Sequence, residues 1–545
     1  MEKRNYTRIL FPSIREMLST AVAEAGTRDA YRFKNKEGDI VNVTYDSFNN
    51  RTENLGAALT ARGLGSASIA CVGDNSYNWI TAYLTVLKGA GTFVPIDKEL
   101  PTAEMLHILN ESDSTAVFYD ARFENWMHEH RAEMPAITCF IGFDRAENEG
   151  EFLSLSALIE EGRQLSRADY DALRRPVGNT ALLVYTSGTT GVAKGVMLTE
   201  QNLLASVHYG EQVSTIREVG LSVLPYHHTY EAVCDLLVGI YFHTTLCIND
   251  SIKNVSKNMK LFRPEYIYLV PAFGEAFYNN IMRTIKKQGK EKTFAKAVKT
   301  SNALRKVGID MRRTFFKEIH ENFGGRLEKI VCGGAAIRPE IGKFFDDIGI
   351  LFTGGYGITE CSPLVCVNGD DSDSAVTAGH RLACVEWRID EPNEEGIGEI
   401  CVKGDIVMKG YYKNPEKTAE ALRDGWFYTG DYGKLTPNDE LIITGRKKNI
   451  IVLNNGKNVY PEELERYIQQ IPYITEVVVK GIKNEHNQDI GLLAEVYMAE
   501  EKPEESQITR DIQDALRDLP SYKHISKVVI RSEPFDKTTT NKIKR

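Results

Sequence analysis

The sequence contains no C-x-x-C pair, and its 9 cysteines are an odd number scattered over 545 residues. This pattern speaks against a disulfide framework and reads as reduced thiols in a cytoplasmic protein. No run approaches the ~18 apolar residues that a membrane-crossing helix needs. The opening, M-E-K-R-N-Y-T-R-I-L-F-P-S, carries charge but no apolar stretch of signal-peptide length. A basic excess is lacking too: 66 Lys and Arg stand against 75 Asp and Glu, a net charge of −9. A general nucleic-acid binder carries a basic face, so nucleic acid is not expected as a partner. Internal repeats and low-complexity blocks are absent. The expectation is a soluble, cytoplasmic protein without a transmembrane segment, with peripheral membrane contact left open.

What is present is ordinary globular material. With 42% hydrophobic and 26% charged residues, a sizeable core is expected. The length exceeds one domain at about 100–200 residues each. Phe48, Leu55 and Leu59 recur at helical spacing, with Asp46 as expected N-cap and Gly63 as stop. Strands at 68–72, 91–97 and 114–119 alternate with helices at 79–88 and 103–110. Such alternation marks an α/β fold with a mostly parallel sheet. Residues 137–143, 181–185 and 266–271 read as further strands, and a β-rich section begins at 399. The lysine-rich run at 286–299 reads as a solvated helix face, with an anionic membrane or nucleic acid as the second reading. A domain boundary is placed at R-K-K-N, 446–449, because three cations in a row sit poorly in a core. This gives an N-terminal domain, 1–446, and a small C-terminal domain, 447–545. The latter contains a helix starting at Pro461, with Glu462 and Glu463 favouring its positive end. Residues 536–545, D-K-T-T-T-N-K-I-K-R, read as a mobile polar tail.

The chemistry concentrates at 185–195, Y-T-S-G-T-T-G-V-A-K-G. Glycines let the backbone turn its N–H groups toward a ligand, hydroxyls add donors, and Lys194 adds a mobile positive charge. This is an inventory for a polyphosphate, set directly after a buried strand. It is not a Walker A loop, since Ala193 precedes the lysine and Gly195 follows it. A flexible Ser/Thr/Gly linker has the same composition. Two further strands run into glycines, at C-G-G-A-A-I (332–337) and G-G-Y-G-I-T-E (354–360). Tight turns would explain either one alone; together they suggest a crevice at the carboxyl ends of an open sheet. In L-P-Y-H-H-T-Y-E (224–231), His227 and His228 are adjacent and point to different sides, which argues against joint metal ligation. The preferred reading makes one a pocket wall and the other a packing residue.

In order, the phosphate-like loop, C-G-G-A, G-Y-G-I-T-E, Y-T-G-D, G-R-K-K-N and the terminal T-T-T-N-K-I-K-R resemble the adenylate-forming superfamily. The resemblance covers nearly the whole chain. It implies a large N-terminal domain of mixed, mostly parallel sheets flanked by helices, a β-rich subdomain and a small mobile α+β C-terminal domain. It also implies a reaction in which a carboxylate attacks the α-phosphorus of ATP, expelling pyrophosphate, before a thiol takes the acyl group. Negative charge gathers on phosphoryl oxygens in that transition state, so positioning and positive charge do most of the catalysis. By resemblance, Thr186, Ser187, Gly188, Thr189, Thr190, Gly191 and Lys194 hold the β- and γ-phosphates. Gly333, Gly334, Ala335, Tyr356 and Gly357 enclose adenine, and Thr359 meets the α-phosphate. Glu360, with Thr186, holds Mg²⁺, a hard ion suited to carboxylate and phosphate oxygens. Asp431 takes the ribose hydroxyls, with Arg446 beside it. Lys542 matches the lysine that bridges α-phosphate and carboxylate, with Lys544 as its rival. Lys448 matches the hinge, and Gly456 lies in the stretch that reaches the thiol tunnel. Asn541 and Asn449 depart from the Gly and Asp that are frequent at those places.

The L-P-x-x-H-x-x-E form, with His228 and Glu231, resembles the long-chain fatty acyl-CoA synthetase branch. His228 and Gly355 are then expected at the acyl pocket, and the Asp that pairs an amino-acid substrate's amine is missing. The resemblance implies ATP, Mg²⁺ and coenzyme A, or carrier-protein phosphopantetheine, as cofactors and co-substrates. Alternatives are a free-standing acyl–carrier-protein ligase, an aromatic-acid CoA ligase, and, from another class, an inactive nucleotide-binding regulatory protein.

Overall fold

The computed structural model describes residues 8–186, 193–334, 337–370, 377–454, 457–485, 487–499, 503–537 and 543–545. Helix Tyr45–Ala61 buries Phe48, Leu55 and Leu59, as the spacing predicts. Its cap is Thr44 rather than Asp46: the Thr44 backbone is extended and its side chain accepts from the Ser47 N–H. Thr44 also ends the strand Ile40–Thr44, so the chain turns earlier than expected, and Asp46 falls in the first helical turn, where its carboxylate faces the helix dipole.

Strands Ser68–Val72, Thr92–Ile96 and Ser114–Tyr119 pair in parallel. They belong to an eight-stranded sheet. Along one edge, Thr180–Thr186, Lys194–Thr199 and Gly410–Tyr411 complete it in antiparallel fashion. A second sheet has nine strands, with Thr245–Ile248, Val219–Ser222, Tyr266–Leu269, Lys329–Cys332 and Leu351–Gly357 as parallel neighbours. Side chains from both sheets and the helices between them, Trp79, Phe93, Leu182, Leu221 and Ile267 among them, share one apolar core. Burial of this kind stabilises by about 25 cal/mol per Å² of apolar surface removed from water. A β-rich unit follows, built from Val385–Asp390, Gly398–Gly404, Leu422–Arg423, Trp426–Leu435 and Leu441–Arg446.

After the turn Lys447–Asn449, a separate core gathers Val459, Leu464, Val477, Val496, Ile508 and Ile512. It lies among strands Glu476–Lys483, Asp489–Tyr497 and Lys527–Ile530 and helices Pro461–Ile468 and Glu505–Ala515. Arg466 reaches back to donate to the Ile443 carbonyl at 3.2 Å.

Three sequence expectations change. Strand Tyr266–Leu269 stops before Pro271, which opens helix Pro271–Lys287 at the position where its fixed φ and missing N–H cost nothing. The lysine-rich run spans two helices, Pro271–Lys287 and Glu291–Arg305. The described part of the C-terminal tail is tied rather than loose. Lys537 pairs with Glu476 at 2.7 Å, and Arg545 pairs with Glu465 and, at 3.4 Å, with Glu462. A basic tail finds partners wherever a neighbouring helix presents carboxylates, and helix Pro461–Ile468 does so. Among the described residues, no helix is long and apolar enough to cross a membrane.

Candidate active site

A cavity of about 840 Å³ opens where the two sheets converge. Thr186, His228, Gly333, Gly334, Gly355, Tyr356, Gly357, Thr359, Glu360 and Arg446 all line it, so residues far apart in sequence meet on its wall. The glycines of G-G-Y-G do not form a turn: Leu351–Gly357 is one continuous strand through them. They thin the wall instead. A Cβ on Gly357 would lie 2.4 Å from the Pro363 carbonyl oxygen, and one on Gly355 3.2 Å from that of Cys366. A Cβ on Gly333 would press on the Tyr230 ring at 2.9 Å, and Gly334 has φ +85°, a conformation that glycine alone adopts freely.

Thr186 and Lys194 are cross-strand partners, so they stand at the two mouths of the segment 187–192. Ser187, Gly188, Thr189, Thr190 and Gly191 lie in that segment, outside the described residues; so do Ala335, Gly456 and Lys542. The Lys194 ammonium sits 5.1 Å from the centroid of the Tyr411 ring rather than on the cavity wall. The Tyr411 hydroxyl in turn donates to Glu360 Oε1 at 2.9 Å. Tyr411 was not singled out in the sequence; the pairing of its strand with the one that Lys194 opens brings it here.

Tyr356 is buried, and its hydroxyl donates to Asp431 Oδ2 at 2.6 Å. Arg446 Nε lies 2.6 Å from the other oxygen, Asp431 Oδ1. Strands Trp426–Leu435 and Leu441–Arg446 place that pair directly across from each other. Tyr356 and Arg446 thus approach Asp431 from its two oxygens, and the carboxylate stands beside the cavity that Arg446 and Tyr356 line. Burial and the Asp431 charge both push the Tyr356 hydroxyl well above its ordinary pKa, so it stays a donor.

Both histidines line the cavity, which corrects the expectation of one wall and one packing residue. The strand ends at Ser222, and the irregular backbone after it frees both rings to face the same space. Burial, with help from Lys98, lowers His227 to about 3, so its imidazole is neutral; Nε2 lies 3.5 Å from Asp97 Oδ2. Glu231 points away into the core, where the Ser222 hydroxyl donates to it at 2.6 Å. It and Asp235 are wholly buried on the segment that opens the π-helical turn Ala232–Leu237. Apolar side chains line the cavity as well, Val233, Val238, Val270, Phe273 and Leu364 among them, and helix Glu200–Val213 adds Ser206 and Gly210. Lys448 is exposed in the turn Lys447–Asn449, next to Asn449, which donates to Glu462.

Among the described residues no cluster of His, Cys, Asp and Glu could hold a metal by itself. Glu360 with the Thr186 hydroxyl is a donor set that fits a hard divalent ion carried mainly by substrate phosphates, the usual habit of Mg²⁺.

Residues 18–412 match the AMP-binding enzyme family, and residues 448–545 match the AMP-binding enzyme C-terminal domain. The chain belongs to the AMP-binding enzyme family. As a member it is an AMP-forming ligase that activates an acyl group at the expense of ATP. Its relatives include a long-chain-fatty-acid–[acyl-carrier-protein] ligase of Arabidopsis thaliana, 28% identical over 81% of this chain and 70% of that protein. A long-chain-fatty-acid–CoA ligase of Mycobacterium bovis is 29% identical over 74% of this chain and 69% of that one. Among solved structures, an anthranilate CoA ligase in complex with anthranoyl-AMP superposes with a TM-score of 0.79 at 18% identity, covering 98% of this chain and 96% of that one. That likeness establishes the fold. This AMP-binding enzyme therefore has the mixed α/β architecture of its family, with large parallel sheets and a β-rich unit.

Proposed function

We propose that this enzyme joins a medium- or long-chain fatty acid to the thiol of coenzyme A through an acyl-adenylate, releasing pyrophosphate and then AMP. One observation carries the reading: a single cavity has a polar wall of strand ends (Thr186, Gly333, Tyr356, Thr359, Glu360) and an apolar wall (Val233, Val238, Val270, Phe273). A carboxylate that enters along the apolar wall is held where its oxygen meets the α-phosphorus, and proximity of this kind is worth several kcal/mol of barrier.

In this reading the 187–192 segment and Lys194 hold the leaving pyrophosphate, with Ser187, Gly188, Thr189, Thr190 and Gly191 as donors. Gly333, Gly334, Ala335 and Tyr356 enclose adenine, Asp431 with Arg446 holds the ribose, and Thr359 meets the α-phosphate. Glu360 and Thr186 hold Mg²⁺, which supplies positive charge to the phosphate oxygens. Lys542 bridges α-phosphate and carboxylate in the first step. Residues 447–545 then turn about Lys448, withdrawing Lys542 and bringing the stretch at Gly456 to the thiol. The separate core that begins after residue 449 suits such a rotation.

Pyrophosphate release, measured with fatty, aromatic and amino acids and with coenzyme A or a holo carrier protein as acceptor, tests the proposal. Turnover with fatty acids and coenzyme A is expected. Acyl transfer to carrier protein alone would assign the other acceptor, and no turnover with any acid would overturn the enzyme reading.

A further inference from the structure

The chain is acidic overall, yet residues 283–317 hold twelve Lys and Arg against two carboxylates, a net +10 that leaves the remainder at −19. Helix Glu291–Arg305 organises this charge. Lys292, Lys296 and Lys299 stand at i, i+4 and i+7, and Lys306 follows at i+14, so all four fall on one face. The four lysines are exposed, while Phe294, Ala297 and Val298 turn toward the core. Among the described residues, none of the four is paired with a carboxylate, whereas Arg305 on the flank is paired with Asp346 at 2.7 Å. Like charges at i,i+4 destabilise a helix. A face that merely needs water intersperses both signs, so a row of lysines interrupted only by Ala303 points to an anionic counterpart. At the end of the row the chain exposes two apolar side chains, Val307 (71%) and Ile309 (50%).

We infer that the Lys292–Lys296–Lys299–Lys306 face, with Val307 and Ile309 at its end, seats this enzyme on an anionic lipid bilayer. The lysines meet lipid headgroups, their methylene stems lie along the interface, and the valine and isoleucine sink beside them. A flat acidic protein surface or a nucleic-acid backbone would satisfy the lysines but give Val307 and Ile309 no apolar layer to enter. The preceding helix, Pro271–Lys287, lines the cavity with its first turns and packs against helix Glu291–Arg305.

Co-sedimentation of the full chain with phosphatidylcholine vesicles, and with vesicles of phosphatidylcholine plus phosphatidylglycerol, tests this. Partition into the mixed vesicles only is expected, with release when ionic strength rises from about 0.1 to about 1 M and the screening length falls from ~10 to ~3 Å. Each lysine at an anionic surface strengthens partition about five-fold, so Lys292→Gln, Lys296→Gln and Lys299→Gln together lower it by roughly a hundred-fold. The same exchange at Lys409, Lys483 and Lys527 leaves it within about two-fold, since those side chains lie off this face. Val307→Ser with Ile309→Ser weakens partition yet keeps its salt dependence. Equal sedimentation with both vesicle types, or a triple variant that partitions like its parent, overturns the inference. So does a triple variant that keeps vesicle binding while losing affinity for an acidic carrier protein or for duplex DNA.

Discussion

Gly210 offers a direct handle on substrate length. It lies within helix Glu200–Val213, where glycine costs roughly 1 kcal/mol relative to alanine, and it lines the cavity. Beyond its own helical turn, a Cβ at this position would meet one neighbour among the described residues, Leu364 Cδ2, at 2.9 Å. The glycine thus leaves room that the surrounding side chains do not fill. Replacing it by leucine improves the helix and pushes its added carbons toward Leu364 and into the cavity. If the acyl chain runs past this point, the new side chain displaces about four methylenes at about 0.8 kcal/mol each, near 3 kcal/mol in all. Gly210→Leu should then lower kcat/KM for the longest chains by roughly two orders of magnitude while leaving short chains near the parent value. The assay is pyrophosphate release on a series from hexanoate to stearate, with thermal melting to establish that the fold is intact. A loss that is uniform over the series, or no loss at any length, would refute the placement of the acyl chain along this helix.

Other outcomes follow from the same geometry. Tyr356→Phe keeps the ring and removes the donor to Asp431; a hydrogen bond to a charged group is worth about 1.5–3 kcal/mol, so ATP binding by calorimetry should weaken ten-fold to roughly a hundred-fold. Lys542→Ala should abolish adenylate formation yet leave thiolation of a supplied acyl-adenylate largely intact, and equal loss of both steps would contradict the rotation about Lys448. Burial pushes the Asp235 carboxyl from its ordinary 3.8 up to about 7, so the native state keeps a proton that the unfolded chain has released. Stability from this group therefore falls as pH rises from about 4 through about 7 and is level above. Relative to its parent, Asp235→Asn should gain melting temperature between pH 5 and pH 8, and parallel pH profiles would sink this assignment.

Much of the fold was legible in the sequence because its signals are local. Apolar runs at 68–72 and 114–119, and helical spacing at Phe48, Leu55 and Leu59, report backbone periodicity, and burial followed it. Asp46 failed as a cap because the end of the preceding strand, a neighbouring element, decided where the helix began. The G-G-Y-G segment reads as the glycine-rich end of a strand at a crevice, with a tight turn as the alternative; strand pairing on both sides holds it extended, and its residues line the cavity.

What the sequence determined by itself was the inventory: a hydroxyl- and glycine-rich loop, glycines after strands, Asp431 in Y-T-G-D, a C-terminal lysine, and their order. Chemistry at that level resides in residue types and spacing. Only tertiary structure decided which of them meet. It set Lys194 over Tyr411 and Tyr411 against Glu360, turned His227 and His228 into one cavity, and pinned Asp431 between Tyr356 and Arg446. These contacts join residues separated by up to hundreds of positions, and no periodicity records them, because they arise from how two sheets and a third β-rich unit pack rather than from any stretch of chain.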